Sequence, residues 1–266
     1  MTTEDSSTTS NNSNERTLVT LCTYNESENL PGLIAEIHQH AADVDVLVID
    51  DNSPDGTGRI ADHLASTDSR IHVLHRAEKQ GIGAATLAGF WWAIDRGYFW
   101  LINMDADFSH HPRHLPELRA AITGTNGEPV DVVIGSRYVK GGGIEGWGPL
   151  RHVMSRGVNF YARSALGLRT KDNSGSFRCY RVSKLAEIDW SRVRAKGYAF
   201  EEEVLYRCRR VGCRFAEVPI VFLDRQHGQS KINTREVRRA LWDIFRLGID
   251  NVRRVPVREA GEKTPS

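Results

Sequence analysis

The chain has 266 residues and a formal net charge of +1. That near-neutral balance provides no global field for nucleic acid, and the length suffices for about one large or two small buried cores. Four scattered cysteines, Cys22, Cys179, Cys208 and Cys213, form no CxxC pair, which argues against a disulfide framework or thiolate zinc site and for a reduced, cytosolic setting. No apolar run approaches the roughly 20 residues that span a bilayer. Residues 1–16, rich in Thr, Ser and Asn and without an apolar signal core, read as a disordered tail.

In chain order, residues 17–22 form a short apolar strand that ends in the polar cluster Thr23-Tyr24-Asn25-Glu26. Residues 29–40 carry Leu30, Leu33, Ile34 and Ile37 at the spacing of one buried helical face. A second strand, 44–49, runs into Asp50-Asp51-Asn52-Ser53-Pro54-Asp55-Gly56-Thr57 and a helix over 58–64. A third strand, 71–74, is followed by Lys79-Gln80-Gly81-Ile82-Gly83 and an alanine-rich helix through Ala93. The aromatic and β-branched run 97–102 predicts the fourth strand. Strict strand–helix alternation argues for an α/β fold with a mostly parallel central sheet covered on both faces.

After that strand come Asp105-Ala106-Asp107-Phe108-Ser109 and His110-His111-Pro112, with Pro112 placed to open a helix. Open α/β sheets bind ligands at the carboxyl ends of their strands. The polar clusters at 23–26, 50–51, 79 and 105–107 therefore converge on one crevice. Paired carboxylates there suit a hard cation, Mg²⁺ or Mn²⁺, with diphosphate oxygens completing its shell, although Asp-Ala-Asp can also be a plain polar strand end. No G-x-G-x-x-G follows a strand and no Walker-type loop is present.

The second half continues with a strand at 130–135, Ser136-Arg137-Tyr138, and a glycine-rich stretch 141–148 that reads as a mobile loop. Leu150, Val153, Met154, Val158, Tyr161 and Ala165 predict the buried face of an amphipathic helix over 150–166. A polar turn, 172–178, precedes helices near 183–188 and 200–210. Residues 215–222 read as an edge strand, because Pro219 lies inside the run. The chain is expected to divide into a tail (1–16), one folded domain (17–233), an amphipathic helix (234–254) and a flexible tail (255–266). In that helix Val237, Leu241, Ile244, Phe245 and Gly248 share one face, with Arg235, Arg239, Trp242 and Arg246 on another. This suits either an anionic membrane surface or a core-packed helix with a solvated basic side.

Several runs together resemble a GT-A inverting glycosyltransferase of family 2, and within it the dolichyl- or polyprenyl-phosphate mannose synthases. They are Thr-Tyr-Asn-Glu (23–26), Val-Ile-Asp-Asp-Asn-Ser-Pro-Asp-Gly-Thr (48–57), Lys79 with its Gly-x-Gly, Asp-Ala-Asp-Phe-Ser-His-His-Pro (105–112), Gly-Ser-Arg-Tyr (135–138), Ser-Gly-Ser-Phe-Arg (174–178), Lys-Gly-Tyr-x-Phe (196–200) and Asp-Arg-x-x-Gly-x-Ser-Lys (224–231). The resemblance implies mannose transfer from GDP-mannose to a polyprenyl phosphate, by a peripheral enzyme on the cytoplasmic face of a membrane. It implies a nucleotide-sugar site of Thr23, Tyr24, Asn25, Glu26, Asp51, Lys79, Asp105, Arg225 and Lys231. Asp105, Asp107 and Ser109 would face Mg²⁺ or Mn²⁺, with Ser109 acting directly or through water. Arg137, Arg151 and Ser155 would hold the acceptor phosphate, and Asp107, Arg137 and Arg151 would carry catalysis.

Rival readings are a sister enzyme using UDP-glucose or another sugar nucleotide, a nucleotidyltransferase, and a silent sugar-nucleotide-binding module. A phosphate acceptor is already anionic, so no protein base is expected, and Glu203 is the carboxylate to test as a hidden one. Glu201 and Glu202 read as helix-dipole partners. His110, His111 and His114 read as capping and metal-adjacent groups rather than a zinc cluster.

Overall fold

The computed structural model describes residues 15–124, 127–195, 197, 199–224 and 234–253. The first half alternates as expected: β1 (Thr17–Thr23), α1 (Leu30–His40), β2 (Asp45–Asp50), α2 (Thr57–Thr67), β3 (Ile71–His75), α3 (Ile82–Asp95) and β4 (Trp100–Asp105). There follow α4 (Leu115–Ala120), β5 (Val132–Ser136), β6 (Gly143–Glu145), α5 (Pro149–Leu166), β7 (Arg178–Arg181) and α6 (Val182–Ala186). The chain then forms α7 (Ala199–Arg210), β8 (Phe215–Pro219), β9 (Val221–Leu223) and α8 (Thr234–Arg253).

Seven strands make one sheet in the order β3-β2-β1-β4-β7-β5-β8, parallel throughout except that β7 opposes both β4 and β5. Successive strand residues point to opposite faces, and both faces are covered. Leu18, Leu47, Ile49 and Leu101 face Phe90 of α3, Phe200 and Val204 of α7 and Ile244 of α8. Val19, Leu21, Val46, Val48 and Ile102 face Leu33, Ile34 and Ile37 of α1 and Leu115 and Leu118 of α4.

Five sequence expectations are corrected. β4 begins at Trp100, not 97: Gly97 takes a left-handed turn (φ +66°) out of α3, and Asp105 becomes the last strand residue. The glycine-rich stretch is not a free loop, since β6 within it pairs with β9 in register Gly143–Val221 to Glu145–Leu223. The expected single strand over 215–222 divides at Ile220, with β8 at the sheet edge and β9 in the small sheet. β7 went unseen because arginines flank its short core, yet Arg178 is fully buried. Finally, α5 meets its expected face only in part: Val158, Tyr161 and Ala165 pack partly buried against the core beside the buried Asn159, Ala162 and Leu166, whereas Leu150 and Val153 are exposed, as is Phe160. The α8 helix packs on the core along one face only. Ala240, Ile244 and Leu247 are buried, while Leu241, Trp242 and Phe245 face outward.

Candidate active site

The ends of β1, β2 and β4 lie side by side, as the register of these parallel strands requires. Each continues into a turn containing one non-glycine residue at positive φ: Asn25 (63°), Asn52 (57°) and Phe108 (61°). Such backbone is uncommon outside glycine and clusters at ligand-binding sites. At β1, the buried Thr23 hydroxyl donates to the Ile49 carbonyl (3.3 Å) and Asp50 Oδ1 (3.2 Å), so it ties two strands together and does not face the crevice. Glu26 Oε2 accepts from Asn29 Nδ2 at 2.8 Å, and the Asn25 amide donates to Ser53 Oγ. Lys79 Nζ sits 3.5 Å from the Tyr24 ring centroid, a cation–π pair at the crevice mouth.

The adjacent aspartates at β2 divide their work. Asp50 accepts from the Ser53 amide at 3.1 Å and shapes the turn. Asp51 accepts from Arg76 Nη1 at 2.5 Å. Burial pushes the Asp51 carboxyl above its ordinary value, and Arg76 offsets only part of that rise. Arg76 was missed by sequence reading; its placement just past β3, beside Lys79, was the available signal.

In the acidic turn, Asp105 Oδ1 accepts from Ser176 Oγ (2.8 Å) and Asp107 Oδ1 from the Ser109 amide (3.0 Å). Asp105 Oδ2 lies 3.5 Å from His110 Nδ1. His110 is buried and stacked on Phe177 at 5.2 Å, and burial lowers its pKa, which favours a neutral ring accepting from the Asp105 amide. The Ser109 hydroxyl is buried and has no hydrogen-bond partner among the described residues. Two carboxylates and an orphaned hydroxyl on one turn are hard oxygen donors, which fit Mg²⁺ or Mn²⁺.

Glu36, His40 and His111 also bring one donor atom each within 4.8 Å of one another. However, His111 Nδ1 accepts from the Arg113 amide (3.2 Å), leaving the ring proton on Nε2, which faces Glu36 at 3.4 Å. A protonated nitrogen cannot ligate a metal. The contact caps the short turn Pro112–His114 instead.

On the basic side, Arg137, expected to hold the acceptor phosphate, is already engaged within the protein. Its Nε and Nη2 each donate to Asp172 at 2.7 Å, Nη2 also reaches Ser174 at 2.9 Å, and the residue is 8% exposed. Burial alone would raise the Asp172 carboxyl, but the Arg137 guanidinium holds it below its ordinary value. Arg151 is more open: Nη1 meets Asp224 at 2.9 Å, and the guanidinium stacks 4.0 Å from the Trp147 ring centroid. One turn on, Ser155 Oγ bonds the Tyr138 hydroxyl at 2.6 Å. Arg225 and Lys231 lie outside the described residues.

All three α7 carboxylates are buried, with Glu201 and Glu202 in the first helical turn as expected. Glu203 accepts from the Arg194 and Ala195 amides (3.0 and 2.7 Å) and from Arg207 Nε (2.9 Å), which makes it structural and not a candidate base. Glu201 pairs with Arg178 at 2.8 Å; burial, reinforced by the Asp105 charge, pushes its pKa up to about 7. Burial pushes Glu202 up to about 8. A carboxyl whose native pKa exceeds its unfolded value contributes stability below the unfolded value and loses it as pH rises through the native one. Glu202→Gln removes that penalty. The variant is expected to melt higher than the parent above about pH 8 and no higher near pH 5, as thermal unfolding across pH would show.

The model for Glycosyl transferase family 2 matches residues 18–189. The chain belongs to glycosyl transferase family 2. It is 44% identical over 236 residues to a polyprenol monophosphomannose synthase of Mycolicibacterium smegmatis, covering 88% of each chain. It is 42% identical over 234 residues to an undecaprenyl-phosphate mannosyltransferase of Micrococcus luteus, covering 88% of this chain and 94% of that one. Among solved structures, glucosyl-3-phosphoglycerate synthase from Mycobacterium tuberculosis, in complex with Mn²⁺, UDP and glucosyl-3-phosphoglycerate, aligns with a TM-score of 0.61 at 18% identity, over 89% of this chain and 80% of that one. A mannosyltransferase from Pyrobaculum calidifontis in complex with GDP-Man and Mn²⁺ aligns with a TM-score of 0.57 at 15% identity, over 91% and 65%. At these identities the structures share the GT-A-like fold. As a family 2 member, the protein is a glycosyltransferase.

Proposed function

We propose that this family 2 enzyme transfers mannose from GDP-mannose to a polyprenyl phosphate, inverting the anomeric centre and releasing GDP. The observation that carries the reading is the run of ring contacts that joins the acidic turn at β4 to Arg151, from His110 through Phe222 and Trp147 to the guanidinium, in a chain 42–44% identical to enzymes named for mannosyl transfer to polyprenol phosphates. Asp105, Asp107 and Ser109 would hold Mg²⁺ or Mn²⁺, whose chemistry is to neutralise charge on a leaving diphosphate. Tyr24, Asp51 and Lys79 line the nucleoside end. Arg151, oriented by Trp147, receives the acceptor phosphate, and its planar fork suits two phosphate oxygens at once.

A phosphate monoester carries about −1.5 to −2 charges at neutral pH, so its oxygen attacks without a protein base. At saturating donor, Arg151→Ala is therefore expected to lose on the order of 10²-fold in turnover. Glu201→Gln, which alters a buried carboxylate that feels the Asp105 charge, retains turnover within about tenfold of the parent. A dead Glu201→Gln with donor binding intact, beside an active Arg151→Ala, would establish base catalysis instead. The donor is tested by competing GDP-mannose against UDP-glucose with a short polyprenyl phosphate and weighing the product. A hexosyl product drawn from UDP-glucose alone would replace mannose in this reading.

No helix among the described residues is long and apolar enough to cross a membrane. The enzyme on this reading sits peripherally on the cytoplasmic face, where its lipid acceptor is held. Outward Trp242 and Phe245 of α8, beside Arg238 and Arg239, should add salt-sensitive attraction to anionic vesicles. Trp242→Ser should weaken sedimentation with such vesicles, and binding indifferent to lipid charge and salt would remove the electrostatic part.

A further inference from the structure

Tyr138 follows β5 by two residues, and its hydroxyl meets Ser155 Oγ of α5 at 2.6 Å. Both residues are half-buried. Ser155 comes four residues after Arg151, one turn on along the same face of the helix. The backbone of Ser155 is held from within, because its carbonyl accepts from Asn159 Nδ2 at 2.9 Å. Asn159 is itself buried, accepts from the Asn173 amide at 2.6 Å and donates to Ser174 Oγ at 3.1 Å. What stays open is which of the two hydroxyls gives its proton to the other.

A hydroxyl has one proton to give and two lone pairs to offer, and one proton lies between the two oxygens. If Ser155 donates to Tyr138, it turns only lone pairs toward an arriving anion. If Tyr138 donates, the Ser155 proton stays available. A phenol, with an ordinary pKa of about 10, is a much stronger acid than an aliphatic alcohol, so Tyr138 is the better donor and Ser155 the better acceptor. Burial pushes the Tyr138 phenol above its ordinary value, and Arg137 offsets part of that rise, so the proton is retained throughout the neutral range. A hydroxyl that accepts one bond also donates the next more strongly, since linked bonds polarise one another.

The consequence rests on the polyprenyl phosphate reading above. A phosphate monoester carries about −1.5 to −2 charges at neutral pH and offers almost no proton of its own. Each hydrogen bond to it needs a protein donor. Arg151 supplies its fork, but Nη1 is shared with Asp224. We infer that Tyr138 is a positioning residue for the acceptor: its hydroxyl donates to Ser155 Oγ and so aims the Ser155 proton at the acceptor phosphate beside Arg151.

The test compares the full chain with Tyr138→Phe, Ser155→Ala and the two combined, at saturating GDP-mannose and varied farnesyl phosphate. Phenylalanine keeps the ring beside Arg137 and removes the bond. Without its partner, the Ser155 hydroxyl turns to the carbonyl four residues back, a usual bond of helical serines, and its proton is lost to the site. Tyr138→Phe should raise the acceptor KM about tenfold or more, the effect of one hydrogen bond to a charged group. Turnover, the GDP-mannose KM and the thermal midpoint should stay near the parent's, as befits binding lost equally in ground and transition states. Ser155→Ala should behave alike, and the double variant should be no worse than Ser155→Ala alone, because both changes break one chain.

An unchanged acceptor KM in Tyr138→Phe overturns the inference. So does a double variant whose losses multiply, which would make Tyr138 a direct phosphate ligand or a purely structural side chain. Tyr138→Leu takes its place, with the same expected rise, if Tyr138→Phe does not fold. The functional reading fails separately. If the unaltered protein transfers mannose to no isoprenyl phosphate, but its calorimetric binding of farnesyl phosphate weakens in Tyr138→Phe, the relay stands and the transfer reaction falls. Farnesyl phosphate turned over with a parental KM in every variant leaves the reaction standing and removes the relay. No binding of farnesyl phosphate by the unaltered protein overturns both.

Discussion

Asp107→Asn is expected to reduce glycosyl transfer on the order of 10²-fold or more while leaving the protein folded, because metal-assisted charge neutralisation supplies several kcal/mol and each 1.36 kcal/mol is tenfold in rate. Asp107 Oδ1 accepts the Ser109 amide at 3.0 Å, a bond that an asparagine carbonyl can reproduce. The left-handed Phe108 between them should therefore keep its place. What the substitution removes is one negative charge from a donor set that includes Asp105 and the buried Ser109 hydroxyl. Turnover is measured with saturating Mg²⁺ and with saturating Mn²⁺, and folding by the thermal midpoint, expected within about 2 °C of the parent for a change worth under ~0.5 kcal/mol. Near-parental turnover in either metal would defeat the assignment of the acidic turn to the diphosphate cation.

Asp172→Asn should have the largest effect on stability. Breaking a buried ion pair by removing one partner typically costs about 3–5 kcal/mol, since the remaining charge stays buried without compensation. Here the remaining charge is Arg137, whose Nε and Nη2 both spend their bonds on Asp172. For a chain of this size that predicts a midpoint about 6–20 °C lower. The pair also braces the turn that presents Ser176 to Asp105, so activity should decline as well. Because Arg137 holds the Asp172 carboxyl below its ordinary value, the stabilisation is present above the unfolded-state value and is lost as pH falls through the lower native one. The gap between parent and variant should accordingly close only in strong acid. An unchanged midpoint with tighter acceptor binding would show that Arg137, released from Asp172, binds the acceptor phosphate.

Much of this molecule was legible from local pattern. The runs at 17–22, 44–49 and 71–74 read as strands because strands covered on both faces are continuously apolar, and α1 showed its buried residues at helical spacing. With these elements in order, the parallel sheet and the convergence of residues 23–26, Asp51, Lys79 and the acidic turn on one edge follow from topology. Charge and exposure were a different matter. Whether an arginine is free or spent depends on what the sheet order brings against it: Asp172 lies 35 residues from Arg137, and Arg76 lies 25 from Asp51. No local period encodes such a partner. The same holds for Arg178, hidden in β7 beside Glu201, and for Glu203, buried against the Arg194 and Ala195 amides. Likewise the periodicity of α5 predicted one apolar face but not how far the core covers it: Val158, Tyr161 and Ala165 pack inward beside Asn159, Ala162 and Leu166, while Leu150 and Val153 near its start stay outside. A helix's face is a property of its sequence, but which face meets the core is decided by its neighbours.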